Sequence, residues 1–166
     1  MGISLQPDEK KLCHLCPESS AVTYINTVDS HVTGIYDASA GAVVSGTLPT
    51  QVGYLTELTG GLYGPLVLWG SASNDDNGNS LTGTIPTEFG LLTRLESLQL
   101  QLNELTGTVP TELGQLREVT DYFRLNDNDL TGAIPTELGE YGKIRSYFML
   151  DANSFTAAIP SELGRL

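Results

Sequence analysis

The chain has 166 residues, of which 40% are apolar, and this is enough for one domain with a buried core. Its formal net charge of −12 disfavours nucleic acid and anionic membrane surfaces as partners, because both attract basic patches. No apolar stretch approaches the roughly 20 residues that cross a bilayer, and no secretory leader is recognisable. We therefore expect no membrane insertion within this chain, and a soluble intracellular protein if the chain is complete.

Residues 1–43 lack the period found in the rest of the chain. Two segments in this region, AVTYINTV and SHVTGIYDA, are candidate strands. Because a repeat array needs a cap at its end, we predict that 1–43 forms an N-terminal cap or a degenerate first repeat.

Cys13, His14 and Cys16 lie close together within this region and suggest either a zinc site or redox chemistry. A structural zinc needs four ligands, and His31 is the only other soft candidate. A disulfide between Cys13 and Cys16, or two free thiols, is therefore favoured over a metal. No metal and no cofactor are predicted.

A ten-residue phrase then recurs along the chain. It reads LTGTIPTEFG from Leu81, LTGTVPTELG from Leu105, LTGAIPTELG from Leu130 and FTAAIPSELG from Phe155, at spacings of 24, 25 and 25 residues. A degenerate copy, VSGTLPTQVG, begins at Val44. A period of this length is typical of a solenoid. The predicted units are an irregular repeat 44–80, the regular repeats 81–104, 105–129 and 130–154, and a partial repeat 155–166.

The irregular repeat is longer than the others and contains LVL at 66–68, which we predict to be its strand. Its surplus residues fall within TGGLYGP and WGSASNDD, and the second segment has the composition of a loop. Asp75, Asn77 and Gly78 fit three positions of a calcium-binding EF-hand loop, but Ser73 and Thr84 do not fit two others. A solvated turn is favoured over a calcium site.

Within each unit the apolar residues follow the frame L-x-x-L-x-L-x-x-N-x-L, as in Leu95, Leu98, Leu100, Asn103 and Leu105. The alternating x-L-x-L-x part predicts a short strand with two side chains inward and their neighbours outward. The glycine of L-T-G suits a positive φ or a close approach, and the proline of I-P ends a strand. We predict a turn at this phrase, followed by a short helix or 3₁₀ turn.

The asparagine of the frame turns the chain, and its side chain can bond backbone groups that the turn leaves unpaired. Stacked units would align these residues in a ladder. The predicted ladder residues are Asn79, Asn103, Asn128 and Asn153.

The segment LTGTIPTEFGLLTRLESLQLQLNELTGTVPTELGQL, residues 81–116, resembles the plant-type leucine-rich repeat. This class occurs in receptor kinase ectodomains, receptor-like proteins, polygalacturonase-inhibiting proteins and algal proteins. The resemblance implies an α/β solenoid, right-handed and curved, with short parallel strands on its concave face and 3₁₀ or short helices on its convex side. It implies recognition of a protein, peptide or glycan and no chemistry. A fragment of a receptor-like protein would be extracellular.

The residues between copies of the repeated phrase vary, as expected where a constant frame folds and the remainder recognises a partner. The predicted outward positions of the concave face are Ser97, Gln99, Gln101, Tyr122, Arg124, Asn126, Tyr147, Met149 and Asp151. Phe123 and Phe148 are expected to point inward, which leaves Tyr122 and Tyr147 outward. The tyrosines either cover neighbouring apolar surface or form a contact patch, since Tyr and Arg are enriched at binding surfaces. A protein or peptide ligand is the favoured partner.

Two other functions compete with a recognition module. Regular arrays on leucine-rich repeats can bind ice, and threonines recur in phase at Thr82, Thr106, Thr131 and Thr156; we assign them to the turn rather than to a flat array. An enzyme is disfavoured because no nucleophile with a base and no phosphate loop is recognisable. The in-phase glutamates are expected to be solvent-facing helix-start residues. They are Glu88, Glu112, Glu137 and Glu162.

Leu166 aligns with the leucines that precede a strand in earlier units. No polar capping unit follows it, so Phe155, Ile159 and Leu163 are expected near an open end. We expect missing repeats of a longer protein at this end, or a stacking partner that covers it.

Overall fold

The computed structural model describes residues 23–28, 31–37, 45–58, 66–68, 80–142 and 144–166. Within these ranges short strands alternate with single turns of 3₁₀ helix. The strands are β1 (Thr23–Val28), β2 (His31–Asp37), β3 (Ser45–Thr47), β4 (Leu66–Val67), β5 (Ser80–Thr84), β6 (Ser97–Gln99), β7 (Glu104–Thr108), β8 (Tyr122–Arg124), β9 (Asp129–Gly132), β10 (Tyr147–Met149) and β11 (Ser154–Phe155). The 3₁₀ helices are η1 (Thr50–Tyr54), η2 (Thr87–Leu91), η3 (Thr111–Gln115), η4 (Thr136–Glu140) and η5 (Ser161–Arg165).

One six-stranded sheet, the concave sheet, has the order β1-β2-β4-β6-β8-β10. Its last four strands are parallel and come from successive coils, each contributing one alternating x-L-x-L-x segment. At its N-terminal edge β1 and β2 form an antiparallel pair, and β2 runs parallel to β4. The two strands predicted within 1–43, and the strand predicted at 66–68, are therefore present.

A second sheet, with the order β11-β9-β7-β5-β3, corrects the prediction of a simple turn at the repeated phrase. The leucine, threonine and glycine of L-T-G form a parallel strand in each coil. Gly83, Gly107 and Gly132 sit within these strands at φ of 77°, 76° and 76°, a conformation that suits glycine. The positive φ was expected, but the pairing of these segments between coils was not.

The prolines end the strands of the second sheet and begin the 3₁₀ helices. Pro86, Pro110 and Pro135 each occupy the position before a 3₁₀ helix at φ near −64°, the value that the proline ring imposes. The glycine inside each of η1 to η4 faces the main chain of the next coil. A Cβ atom at Gly114 would lie 2.4 Å from the Cβ of Glu137. The helices therefore stack as closely as their backbones permit.

The core lies between the two sheets and the 3₁₀ helices, and the leucine frame fills it. Each coil supplies inward residues from its strand, its turn and its helix. The fully buried residues of the two central coils are Leu92, Leu95, Leu98, Leu100, Leu105, Leu113, Leu116, Val119, Phe123, Leu125 and Leu130. The architecture is the α/β solenoid that the repeat pattern predicts, and its short helices are of the 3₁₀ type.

Some predicted features lie outside the described residues. They include the cysteines, the acidic loop and the first ladder residue, namely Cys13, Cys16, Asp75, Asn77, Gly78 and Asn79. Their roles stay predictions, as do the boundaries proposed for the individual repeats.

Candidate functional site

The candidate site is the outward face of β6, β8 and β10 and of the residue that follows each strand by two positions. Side chains alternate along these strands, so Leu98 and Phe123 are fully buried while their neighbours face the other way. In register, Ser97, Tyr122 and Tyr147 form one row across the sheet. Main-chain bonds from Leu102 to Asn126 and from Asp127 to Asp151 continue the ladder beyond the strands. The predicted residues therefore share one face in three rows.

The first strand of this face does not offer the exposed surface that we expected. Ser97, Gln99 and Gln101 retain only 1%, 3% and 7% of their accessible surface. Ser97 is paired in register with Tyr122, and Gln99 with Arg124. These larger neighbours explain why a serine and a glutamine beside them are shielded from solvent. The accessible part of this face therefore lies on β8 and β10.

Tyr122, Arg124 and Tyr147 form a cluster on the exposed part of the face, which we call the Tyr–Arg–Tyr cluster. The two tyrosine rings are stacked, with centroids 5.7 Å apart and planes inclined by 11°. The Arg124 guanidinium carbon lies 4.7 Å from the centroid of Tyr122 and 4.5 Å from that of Tyr147. Cation–π attraction to both rings holds the arginine in place. Tyr147 nonetheless keeps 45% of its surface exposed.

The charge of Arg124 is not neutralised by a carboxylate within the part of the chain that the structure describes. The ion pairs there join Arg94 to Glu57 and Arg117 to Glu140, both on exposed side chains. The Nε atom of Arg124 is buried and has no hydrogen-bond partner. Arg124 is thus a fixed cation in an acidic chain.

The row at the end of the strands is polar. Asn126 donates from Nδ2 to Oδ2 of Asp127 at 2.6 Å, while its own Oδ1 is buried and without a partner. Asp151 is exposed. Met149, which lies between Tyr147 and Asp151 in the sequence, is half-buried. The Oε1 atom of Gln101 is also buried without a partner.

The ladder asparagines serve the fold and face away from this site. Asn128 accepts a hydrogen bond at Oδ1 from the Leu105 N–H of the preceding coil at 3.0 Å and donates to Leu100 O at 3.0 Å. Asn103 and Asn153 repeat this pattern with the corresponding residues of their own neighbours. The expected ladder is present for these three residues.

The second sheet carries an exposed threonine array that the sequence analysis assigned to a turn. The hydroxyls of Thr106 and Thr131 donate to the Gly83 and Gly107 carbonyls at 3.3 Å, which fixes both side chains. Further exposed threonines line the same strands. The exposed members are Thr47, Thr82, Thr84, Thr106, Thr108 and Thr131. The recurrence of T-G-T in consecutive repeats was the signal that could have placed them on a strand.

Among the described residues, no cluster of three or more His, Cys, Asp or Glu side chains could hold a metal ion, and no helix is long and apolar enough to cross a bilayer. In η2 to η5 the first-turn glutamate accepts a hydrogen bond from the hydroxyl before it, as Glu112 does from Thr111 at 3.3 Å. This bond is the local role that we find for the glutamate row.

The repeat sequence and the fold of this chain are similar to those of known proteins. The Leucine Rich Repeat family profile matches residues 94–116. The BIR3–SERK2 complex from Arabidopsis thaliana is similar at 27% identity and a TM-score of 0.64, over 85% of this chain and 66% of that chain. The repeats of this chain are plant-type leucine-rich repeats. A search of curated protein sequences gives no match.

Two further solved structures are similar to this one. The ectodomain of GASSHO1/SCHENGEN3 from Arabidopsis thaliana, in complex with CASPARIAN STRIP INTEGRITY FACTOR 2, gives 26% identity and a TM-score of 0.68, over 85% of this chain and 18% of that chain. A plant ice-binding protein gives 27% identity and a TM-score of 0.64, over 86% of this chain and 41% of that chain. The leucine-rich repeat chain thus spans just under two thirds of the first structure and less than half of the other two.

Proposed function

We propose that this leucine-rich repeat chain is a non-enzymatic recognition module that binds a protein or peptide through its concave face. The Tyr–Arg–Tyr cluster carries the proposal, because its rings and guanidinium are ordered by one another while Tyr147 remains exposed to solvent. Asn126, Met149 and Asp151 extend the binding surface beside it. Ser97 and Gln99 lie beside the cluster on the neighbouring strand and are shielded from solvent.

Physical chemistry favours such a cluster as the centre of an interface. Tyrosine and arginine are enriched among the residues that dominate binding energy, and they cluster at the centres of interfaces. Stacking has already restricted the rotamers of Tyr122, Arg124 and Tyr147, so association loses less side-chain entropy than it would with mobile residues. Neither tyrosine belongs to the buried core. Their placement is therefore better explained by contact with a partner than by folding.

The related structures add support of a general kind. GASSHO1/SCHENGEN3 was crystallised with CASPARIAN STRIP INTEGRITY FACTOR 2, and another similar protein, the Arabidopsis receptor kinase HAESA, with the peptide hormone IDA and the co-receptor SERK1. Because this chain covers only 18% of each of those proteins, their ligands are not transferred to it. What we transfer is the class of partner, a protein or peptide.

The proposal can be tested by capture of partners on immobilised protein. Tyr147→Ala removes the more exposed ring of the cluster, and Tyr54→Ala removes an equally large exposed ring from η1. We expect Tyr147→Ala to lower the captured amount of a specific partner at least tenfold, while Tyr54→Ala changes it less than twofold. Both variants should keep the thermal midpoint of the parent protein. Equal losses in the two variants would show that the cluster does not direct binding.

A second candidate function, ice binding, is favoured by the threonine array of the second sheet. Its hydroxyls lie on consecutive parallel strands about 4.8 Å apart, and backbone carbonyls hold those of Thr106 and Thr131 in place. A similar solved structure is that of a plant ice-binding protein. Measurement of thermal hysteresis and of ice recrystallisation tests this candidate directly. Activity that is lost in Thr106→Lys and kept in Tyr147→Ala would support it, and an inactive parent protein would reject it.

A further inference from the structure

Three buried polar atoms without partners belong to neighbouring residues of the concave face, and one of them is part of the Tyr–Arg–Tyr cluster. They are Oε1 of Gln101, Nε of Arg124 and Oδ1 of Asn126. A buried polar group without a hydrogen bond costs about 1–3 kcal/mol, so three such atoms at neighbouring positions require an explanation. We propose that they form a subsite for a carboxamide group of the partner. This proposal rests on the proposed peptide-binding function and deepens it.

The strand register brings the three side chains together. Gln101 and Asn126 are neighbours across adjacent strands, because the Leu102 N–H donates to the Asn126 carbonyl oxygen at 3.1 Å. Strands in a sheet are about 4.8 Å apart. Arg124 precedes Asn126 by two residues on the same face, a separation of roughly 7 Å along the strand. A single small group can therefore reach all three.

The hydrogen-bond network fixes what two of the three side chains can offer. The Nδ2 atom of Asn126 donates to the Asp127 carboxylate at 2.6 Å, a charge-assisted bond. Asn126 must therefore present its oxygen, an acceptor, to the subsite. Arg124 presents Nε–H, a donor, while both tyrosine rings hold its guanidinium. The subsite therefore requires a ligand with both a hydrogen-bond donor and a hydrogen-bond acceptor.

The charges around the subsite exclude a carboxylate and an ammonium group as its ligand. A carboxylate would suit Arg124, but it would meet the lone pairs of Asn126 Oδ1 and the charges of Asp127 and Asp151, which are both exposed beside it. An ammonium group would suit those acceptors but would lie beside the Arg124 cation. A carboxamide donates a hydrogen bond to Asn126 Oδ1 and accepts one from Arg124 Nε–H. The side-chain amide of Gln101 has both a donor and an acceptor, so it can bond either the N–H or the oxygen of the carboxamide. The neutral ligand satisfies every group.

The three atoms are shielded from solvent in the unliganded protein. Gln101 is a long side chain on a rigid sheet, so a rotamer change at its end opens the subsite without backbone movement and without displacing Arg124 from the two rings. The hydrogen bonds that the carboxamide then makes offset the cost of that rotation. Carboxamide groups come from two sources, the side chains of Asn and Gln and the peptide group of an extended main chain.

Nuclear magnetic resonance titration of the labelled chain distinguishes these cases. Acetamide represents the side-chain source, N-methylacetamide the main-chain source, and acetate and ethylammonium the two excluded ions. We expect an amide probe to shift the side-chain signals of Gln101, Arg124 and Asn126 at concentrations at least fivefold below those that acetate or ethylammonium requires. The more effective of the two amides identifies the source.

Two matched variants complete the test. Arg124→Lys keeps the charge but removes Nε–H, and we expect it to raise the apparent Kd for the amide at least fivefold. Arg117→Lys makes the same change at an exposed arginine that pairs with Glu140 and should leave the Kd unchanged. Spectra that overlay elsewhere show that both variants are folded. Equal or tighter binding of acetate, or no shift with any probe, would overturn the subsite, whereas partner capture through Tyr147 could still succeed.

Discussion

The side-chain amide of Asn128 joins two coils by accepting a hydrogen bond from the Leu105 N–H at 3.0 Å and donating to the Leu100 carbonyl at 3.0 Å. It also donates to Leu125 O within its own coil at 3.1 Å.

Replacement of Asn128 by alanine should therefore destabilise the fold. The change leaves a buried N–H and at least one buried carbonyl unpaired, and we expect a loss of about 2–4 kcal/mol in the free energy of unfolding. Urea denaturation followed by circular dichroism measures this loss. Gln115→Ala, on an exposed residue of η3, is the control and should change stability by less than about 0.5 kcal/mol. A similar small effect for Asn128 would refute the structural role of the ladder.

The solenoid could be predicted because the repeat period and the leucine frame are visible in the sequence. The spacing of about 24 residues and the leucine positions determine which side chains enter the core, and Asn103, Asn128 and Asn153 determine where each strand turns. The second sheet was not predicted, because its strands pair only with strands of neighbouring coils. Leu105, Thr106 and Gly107 are an example. A single unit, considered alone, gives no reason to expect a strand in a segment that contains glycine and precedes proline.

The glycines of the 3₁₀ helices provide a second stability prediction. A Cβ atom at Gly114 would lie 2.4 Å from the Cβ of Glu137 and 2.9 Å from its carbonyl oxygen, whereas one at Gly164 would meet nothing within 4 Å. We expect Gly114→Ala to force the coils apart and to cost roughly 3 kcal/mol. Gly164→Ala, the same change at the corresponding place in η5, should cost less than about 0.5 kcal/mol. The thermal midpoints of the two variants are compared by thermal denaturation. Equal midpoints would show that contact between neighbouring 3₁₀ helices does not limit the spacing of the coils.

The adjacent residues Tyr122 and Phe123 allow a direct test of which face is core. The Phe123 ring is fully buried, with centroids 5.2 Å from those of Tyr141 and Phe148. Phe123→Ala should therefore destabilise the protein by about 3–5 kcal/mol. Tyr122→Ala removes a ring from the outward face, and we expect a loss of at most about 1 kcal/mol. Chemical denaturation of the two variants should separate them clearly, and a reversed order would mean that the inward and outward faces are exchanged.

The candidate site was only partly predictable. Alternation along the strand identified the outward positions, and Tyr122, Arg124 and Tyr147 do form one cluster. The burial of Ser97 and Gln99 could not be anticipated, because it depends on the size of side chains in other coils. The unpartnered atoms of the carboxamide subsite likewise arise from the conformations of side chains on neighbouring strands, which no local pattern specifies.

Tyr141 couples stability to alkaline pH. Its ring is buried, its hydroxyl donates to the Leu113 carbonyl oxygen at 2.5 Å, and burial raises the pKa of the phenol well above its usual value. Tyrosine in the unfolded chain has a pKa of about 10. The stabilisation is therefore fully present below pH of about 10 and is lost as the pH rises above that value, because only the unfolded state then releases the proton.

Comparison of the parent protein with Tyr141→Phe isolates this effect. At neutral pH the variant should be less stable by about 1 kcal/mol, since the Leu113 carbonyl loses its donor. At one pH unit above the unfolded pKa the parent should have lost about 1.4 kcal/mol more than the variant, so the two stabilities converge or cross. Urea denaturation at a series of pH values from 8 to about 11 measures the difference. Curves that stay parallel over this range would show that Tyr141 ionises as readily in the folded protein as in the unfolded chain.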